Sequence, residues 1–342
     1  MSENNVLSSD NAPEDKNLDI ELRPRKFSDF IGQDSIKKNL HIYIEASKKR
    51  GDVLDHILFS GSQGLGKTTL SQIIANEINV DIKATSGPVL DKPGDLAGIL
   101  TNLQLGDILF IDEIHRLNKT TEEYLYSAME DYSIDIMIDQ GPSARSVKIS
   151  LPRFTLIGAT TREGLLTPSF RARFGVLERL DFYPWEELKE IAIKSAKTLK
   201  IEINEKGAEM ISKCSRGTPR IVNRFIRRIR DVAQVKGSNK ITESITKLGF
   251  DMLGVDKDGF GDLDRKILSA IIQHGGGPVG LKTIAVSVNE QEDTIEEVYE
   301  PFLIQKGYLS KTPRGRIATQ RAYEYMGHKT GYRTAKFSFL IK

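Results

Sequence analysis

The sequence is poor in the residues that build cross-links and soft-metal sites. Of its 342 residues one is cysteine, Cys214, and one is tryptophan. A single thiol excludes an internal disulfide and a cysteine-rich metal centre, and reads as a passive, semi-buried side chain. The five histidines show no ligand spacing, so metal hydrolases lack support. No apolar run approaches a membrane span. The N-terminus, Met1 to Asn5, is polar without the apolar core of a secretion signal, so the expected location is the cytoplasm. Strong net charge is absent too: 49 Lys and Arg face 47 Asp and Glu, a formal charge of +2. Any affinity for nucleic acid must therefore lie in how charge is distributed. At 342 residues, 39% hydrophobic and 28% charged, the chain is expected to form two or three globular domains.

What is present centres on residues 56–69, where a short apolar run ends in Gly61-Ser62-Gln63-Gly64-Leu65-Gly66-Lys67-Thr68-Thr69 and a helix-competent stretch follows. Strand, glycine loop and helix in that order form the context of a phosphate-binding loop. Gly64 and Gly66 let backbone N–H groups wrap polyphosphate oxygens, and the following helix adds its positive dipole end. Lys67 supplies a charge for the outer phosphates, and the Thr68 hydroxyl can ligate Mg²⁺. Downstream, Asp107 to Ile111 reads as a buried strand closed by Asp112 and Glu113. Ligands sit at the carboxyl ends of parallel strands. Asp112 is then suited to hold Mg²⁺ and Glu113 to polarise a water, the alternative being an N-cap for the next helix. The string Asn118-Lys119-Thr120-Thr121 lacks the acid that guanine recognition needs, which favours ATP.

Phe154 to Ala159 is a further core strand, ending in Thr160-Thr161-Arg162, whose hydroxyls can sense a γ-phosphate. Residues 133–150 predict a hairpin, with Ile134, Ile136 and Ile138 alternating with polar residues. It either packs on its own domain or offers its isoleucine face to a partner. Residues 1–17 read as a mobile acidic tail, 18–184 as the nucleotide domain, and 185–256 as helices without strands. Residues 257–330 give a helix-turn-helix order followed by two short strand candidates, a wing. Its would-be recognition helix carries Glu292, Asp293, Glu296, Glu297 and Glu300. DNA contact is therefore expected through Lys311, Arg314 and Arg316 of the wing and through phosphates, the alternative being a protein-docking unit. A second basic cluster, Arg216 to Arg230, reads as a solvated face, except that Pro219 in the first turn of its helix leaves Arg220 free to meet a phosphate. The apolar end of 331–342 has no evident role.

These pieces in this order resemble the AAA+ ATPases of the RuvB family, motors of bacterial Holliday-junction branch migration. Leu109-Phe110-Ile111-Asp112-Glu113-Ile114-His115-Arg116, Ala128-Met129-Glu130-Asp131, Arg216-Gly217-Thr218-Pro219-Arg220 and Thr312-Pro313-Arg314-Gly315-Arg316 carry the resemblance, which spans about residues 20–326. The fold it implies is α/β: an AAA+ P-loop parallel-sheet domain, a small all-helical lid domain and a C-terminal winged-helix domain. It also implies that Lys67, Thr68 and Thr69 bind ATP with Mg²⁺, and that Asp112 and Glu113 form the Walker B pair. Thr160 matches sensor 1, Arg173 the arginine finger that reaches a neighbouring subunit, and Arg220 sensor 2. Leu22, Arg23 and Tyr183 match the adenine pocket. The hairpin matches the arm that docks RuvA, and Lys311, Arg314 and Arg316 match the DNA-contacting wing. The implied assembly is a hexameric ring on duplex DNA, working with RuvA and followed by RuvC. The chain departs from the family at Ser62-Gln63, where Pro-Pro is usual, at Glu292, aligned with an arginine, and at Lys311, where arginine is usual. The competing expectations are a clamp-loader-type AAA+ subunit and a nucleotide-switched DNA-binding adaptor.

Overall fold

The computed structural model describes residues 21–137, 146–236 and 239–328, without the side chains of Ile136 and Met137. The expected acidic tail at 1–17, Ile138, the hairpin turn and the apolar terminus lie outside the described residues. Among the described residues, one compact unit holds 21–191 together with Thr218–Arg220; the other holds Ala192–Gly217 and Ile221 onward.

The first unit is built on a five-stranded parallel sheet of order β2-β3-β6-β1-β7. Its strands are β1 (Ile57–Ser60), β2 (Ile82–Ser86), β3 (Ile108–Asp112), β6 (Thr155–Thr160) and β7 (Val176–Arg179). The three central strands are continuous apolar runs because helices cover both faces of a parallel sheet, and every residue of β1 and β6 is buried. Register pairs Ser60 with Thr160 and Ile111 with Gly158, so β1, β3 and β6 end along one edge.

The hairpin forms as expected, from β4 (Ser133–Met137) antiparallel to β5 (Ser146–Ser150). Ile134, however, is only 1% exposed and belongs to the core of its own unit, with Leu151 and half-buried Ile149 beside it. The expectation that Ile134 docks a partner is therefore corrected: the root of the arm is needed to seal the sheet's flank. Farther out, Val147, paired in register with Ile136, is exposed. The face is core at its root and surface beyond it.

In the second unit, helices Glu205–Cys214, Pro219–Val235 and Glu243–Met252 match the expected helical stretch. A two-residue parallel pairing of β8 (Glu202–Ile203) with β9 (Lys240–Ile241) was not foreseen. It sits just before two side-chain caps, Asn204 accepting from the Gly207 N–H and Thr242 from that of Ile245. Too short to show periodicity, it ties two helix starts together.

The winged helix follows, with helices Asp262–Gln273 and Leu281–Val288, then a helix running Glu292–Gln305. That last helix widens to a π turn at Ile295–Tyr299, just before Pro301, whose missing N–H and ring disfavour the ordinary ladder. β10 (Leu309–Thr312) and β11 (Gly315–Ala318) make the wing.

The basic cluster is not a solvated face. Arg216, Arg224 and Arg227 are all buried. Arg216 forms a short ion pair with Asp264, both side chains being almost without exposure, and its guanidinium lies 4.9 Å from the Phe302 ring centroid. Asp264 also accepts the Gly261 N–H at 2.8 Å. Removing one member of such a pair strands the other charge in the interior. Asp264→Ala is expected to cost about 3–5 kcal/mol, read as a lowered urea midpoint, whereas replacing the pair together by Met and Leu recovers most of the loss.

Candidate active site

The phosphate loop leaves β1 at Ser60 and enters the helix Lys67–Ile78. Gly64 and Gly66 adopt φ of 77° and 111°, left-handed conformations that side chains resist. A Cβ on Gly64 would also strike Thr218 and Arg220, and one on Gly66 would press on the Phe30 ring. Lys67 is buried, its ammonium donating to the carbonyls of Gly61 at 2.7 Å and Ser62 at 2.9 Å. These bonds fold the lysine back over its own loop. Ser62-Gln63, the departure from the family's usual residues, therefore leaves the loop closed around Lys67. Thr68 and Thr69 follow, half-buried at the start of the helix.

Asp112 and Glu113 close β3 at the same edge. Asp112 Oδ1 accepts the Glu113 N–H at 3.0 Å, and Glu113 takes a left-handed conformation with φ of 46°. A non-glycine residue held there stores strain, a recurring feature of functional positions. Neither carboxylate caps a helix: the short turn after Glu113 has no side-chain cap. The next helix is capped by Asn118, which accepts the Thr121 N–H at 2.8 Å, so the Asn-Lys string has a structural role.

Around Glu113 the strand end of β6 matters residue by residue. Thr160 is fully buried; its hydroxyl accepts the Arg162 N–H at 3.0 Å and lies 2.9 Å from His115 Nδ1. Thr161, half-exposed, donates its hydroxyl to Glu113 Oε2 at 3.1 Å. The hydroxyl that reaches the Glu113 carboxylate is thus that of Thr161, which stands one residue past the end of β6, in the bend that follows the strand. His115, 3.4 Å from Glu113 Oε2, joins the same cluster. Sequence reasoning offered the hydroxyls of Thr160 and Thr161 but left out His115, which follows directly on the Asp112-Glu113-Ile114 strand end.

Other expected residues fall at different distances from this edge. Tyr183 is buried and donates to the Leu65 carbonyl at 3.1 Å, touching the phosphate loop itself, and burial pushes its phenol pKa up. Gln33 donates to the Asp181 carbonyl at 2.7 Å, tying the entry segment to the stretch that carries Tyr183. Leu22 is half-buried and Arg23 exposed. Arg220 is exposed, and its backbone N–H approaches the Gly64 carbonyl at 3.4 Å. Arg173 does not join the cluster: it pairs with Glu130 at 3.2 Å and stacks on Tyr126.

In the wing, Arg314 is exposed at the tip, whereas Arg316 is 8% exposed. Arg316 grips buried Glu300 through Nε and Nη2, the latter at 3.0 Å, and Lys311 pairs with Glu296 at 2.7 Å. The expected phosphate contact of Arg316 is corrected, because its guanidinium is consumed inside the fold.

Two imidazoles are held neutral. Burial and the cations Arg162, Arg116 and Lys67 push His115 down to about 4 from 6.5. Burial also lowers His56, which accepts the Leu156 N–H at 2.9 Å and donates to the Met129 carbonyl at 3.2 Å. For a histidine with a lowered folded pKa, the unfolded chain binds the proton more readily. For His115 that stability is complete above pH 6.5 and falls as pH drops from 6.5 toward 4, and His56 acts in the same direction. Histidine-selective NMR is expected to show the His115 ring untitrated at pH 6, with thermal midpoints falling over that window.

The Thr68 hydroxyl and the Asp112 carboxylate are oxygen groups of the kind a hard divalent cation takes. Three family models cover the chain: the Holliday junction DNA helicase RuvB P-loop domain over 22–180, the RuvB AAA lid domain over 183–256 and the RuvB C-terminal winged helix domain over 257–327. The chain is 56% identical to the Holliday junction branch migration complex subunit RuvB of Myxococcus xanthus over 321 residues, 94% of each protein. It is likewise 56% identical to that of Christiangramia forsetii over 333 residues, 97% of each. Among solved structures it resembles the Thermotoga maritima RuvB Holliday junction branch migration motor, with 50% identity and a TM-score of 0.83 over 91% of this chain and 99% of that one. A glycine loop folded on Lys67, an acidic strand end braced by Thr161 and a winged helix downstream agree with this likeness, and the chain belongs to the RuvB family of AAA+ proteins.

Proposed function

We propose that this protein is an ATP-driven motor of Holliday-junction branch migration that moves duplex DNA through a homohexameric ring. It is proposed to work in the cytoplasm on junctions bound by RuvA and to hand its product to RuvC. The observation that carries the reading is the clustering of Lys67, Asp112, Glu113 and Thr161 at one sheet edge in a chain that also carries a winged helix downstream. A clamp-loader subunit would not carry this head, and a non-hydrolysing adaptor has no use for a strained, braced Glu113.

In this reading the nucleotide domain spans 18–184, the helical lid 185–256 and the head 257–330. Lys67, Thr68 and Thr69 bind the phosphates of ATP, and Leu22, Arg23 and Tyr183 border the base. Mg²⁺ held by Thr68 and Asp112 supplies charge neutralisation at the phosphates. Glu113 orients the attacking water and takes its proton, and its carboxylate is aimed by the Thr161 hydroxyl. Thr160, at the end of β6, reports the γ-phosphate, next to the Thr161 hydroxyl that aims Glu113. Arg220 senses nucleotide from the start of a lid helix, and Arg173 is offered to the neighbouring subunit's ATP. The arm beyond Ile134, from Ile136 and Ile138 across to Val147, is assigned to RuvA. Arg314 and Lys311 meet DNA phosphates, while Arg316 shapes the wing through Glu300.

Dissociation of a synthetic four-way junction, with ATP and Mg²⁺ and with or without RuvA, tests this function. Activity is expected to require ATP hydrolysis, to rise with RuvA and to vanish in Lys67→Ala and Glu113→Gln. Arg173→Ala is expected to keep ATP affinity while losing about a thousandfold in turnover. Robust ATPase activity without junction dissociation would point to another AAA+ role. In duplex binding, Arg314→Ala is expected to lower the salt slope by about 0.9 for each engaged wing. Arg316→Ala is expected instead to lower the thermal midpoint, since it leaves Glu300 buried alone.

A further inference from the structure

Arg173 follows the short helix Pro168–Arg171, and its guanidinium has three supports from its own subunit. Nη1 donates to the Ser169 carbonyl at 2.7 Å, Nη2 lies 3.2 Å from Glu130 Oε1, and the guanidinium carbon stands 4.3 Å from the Tyr126 ring centroid. Among the described residues, the buried Nε has no acceptor.

The three supports differ in kind. The Glu130 side chain is 58% exposed, and an ion pair so open to water is screened and weak. It also opposes the charge that an arginine finger must deliver. The carbonyl fixes one N–H but not the plane of the group. An aromatic face holds the plane while leaving both the charge and the N–H donors available. Two of the five guanidinium hydrogens are engaged, so one on each Nη remains for a phosphate oxygen.

Tyr126 is itself fixed. Its hydroxyl makes a short hydrogen bond with Glu122 and lies 3.0 Å from Thr167 Oγ1, and Thr167 also donates to Glu122 at 2.9 Å. Thr167 caps the short helix by accepting the Phe170 N–H at 3.2 Å, and Phe170 packs 5.4 Å from the Tyr126 ring. Glu122, Tyr126 and Glu130 recur every four residues, on one face of the helix Lys119–Glu130.

We infer that Tyr126 is the positioning residue of the arginine finger: its ring holds the Arg173 guanidinium in the plane presented to the neighbouring subunit's ATP. The inference rests on the proposed role of Arg173 in trans. Tyr126 contacts Glu122, Thr167, Phe170 and Arg173, none of them assigned to its own subunit's ATP, so its loss lowers turnover in the adjacent subunit and leaves ATP binding in its own subunit intact.

The test uses the full-length protein on duplex DNA. Tyr126→Leu, which fills the space without a π face, is expected to lower kcat about 3- to 30-fold with ATP affinity unchanged. Tyr126→Phe, which keeps the face, stays within about threefold of the parent. In an Arg173→Ala background Tyr126→Leu is expected to cost nothing more. Mixed rings give the readout that a local packing defect would not move. Lys67→Ala protomers, without a working ATP site but with an intact finger, should raise the turnover of Tyr126→Leu protomers above the sum of the two alone. Full activity of Tyr126→Leu, a loss that persists beside Arg173→Ala, or mixed rings without complementation would each overturn the assignment. Full activity of Arg173→Ala by itself would instead overturn the finger reading on which it rests.

Discussion

The candidate ATP site of the nucleotide domain depends on one constraint, the parallel register that ends β1, β3 and β6 along a single edge. Parallel strands point all their carboxyl ends the same way, and the loops that leave them must meet there. The phosphate loop, the Asp112-Glu113 pair and Thr160-Thr161 are far apart in sequence, yet this register makes them neighbours. The strain at Glu113 and the folded-back Lys67 are tolerated because the buried strands beneath them are fixed.

Buried charge is the second theme, and it separates arginines that look alike in the sequence. Arg216 is spent on Asp264, and Arg316 on Glu300. Each pair is placed where removing one partner would strand the other away from water. Arg314, three residues past Lys311 and at the tip of the wing, keeps its charge for solvent. The acidic helix, whose charge opposes DNA phosphates, thus has an internal use, because Glu296 and Glu300 hold the base of the wing.

Several histidines and tyrosines of this unit act as neutral braces. Burial disfavours the charged form of both His56 and His115. His115 links Thr160 to Glu113 without adding charge beside the phosphate loop, whereas His56 joins Leu156 to Met129 at the opposite end of the sheet. Tyr183 contacts that loop through its hydroxyl, and Tyr126 contacts Arg173 through its face. Both use an aromatic body anchored in packing and leave nearby charges in place.

The sequence by itself determined the phosphate loop, the acidic strand end, the helical stretch and the winged head, because each rests on local rules: strand-loop-helix order, apolar runs and turn residues. It also marked the hairpin through its alternating isoleucines. It did not determine which side of an element a residue serves. Thr160 and Thr161 are adjacent and equally suited, and only the bend that follows β6 brought Thr161 to Glu113. Ile134 and Val147 belong to one hairpin, and only packing against the sheet made the first core and left the second exposed. Arg314 and Arg316 sit two residues apart, and only the approach of Glu300 from another element made one a surface charge and the other an internal bond. Such choices depend on contacts between residues distant in the chain, which local propensity does not encode.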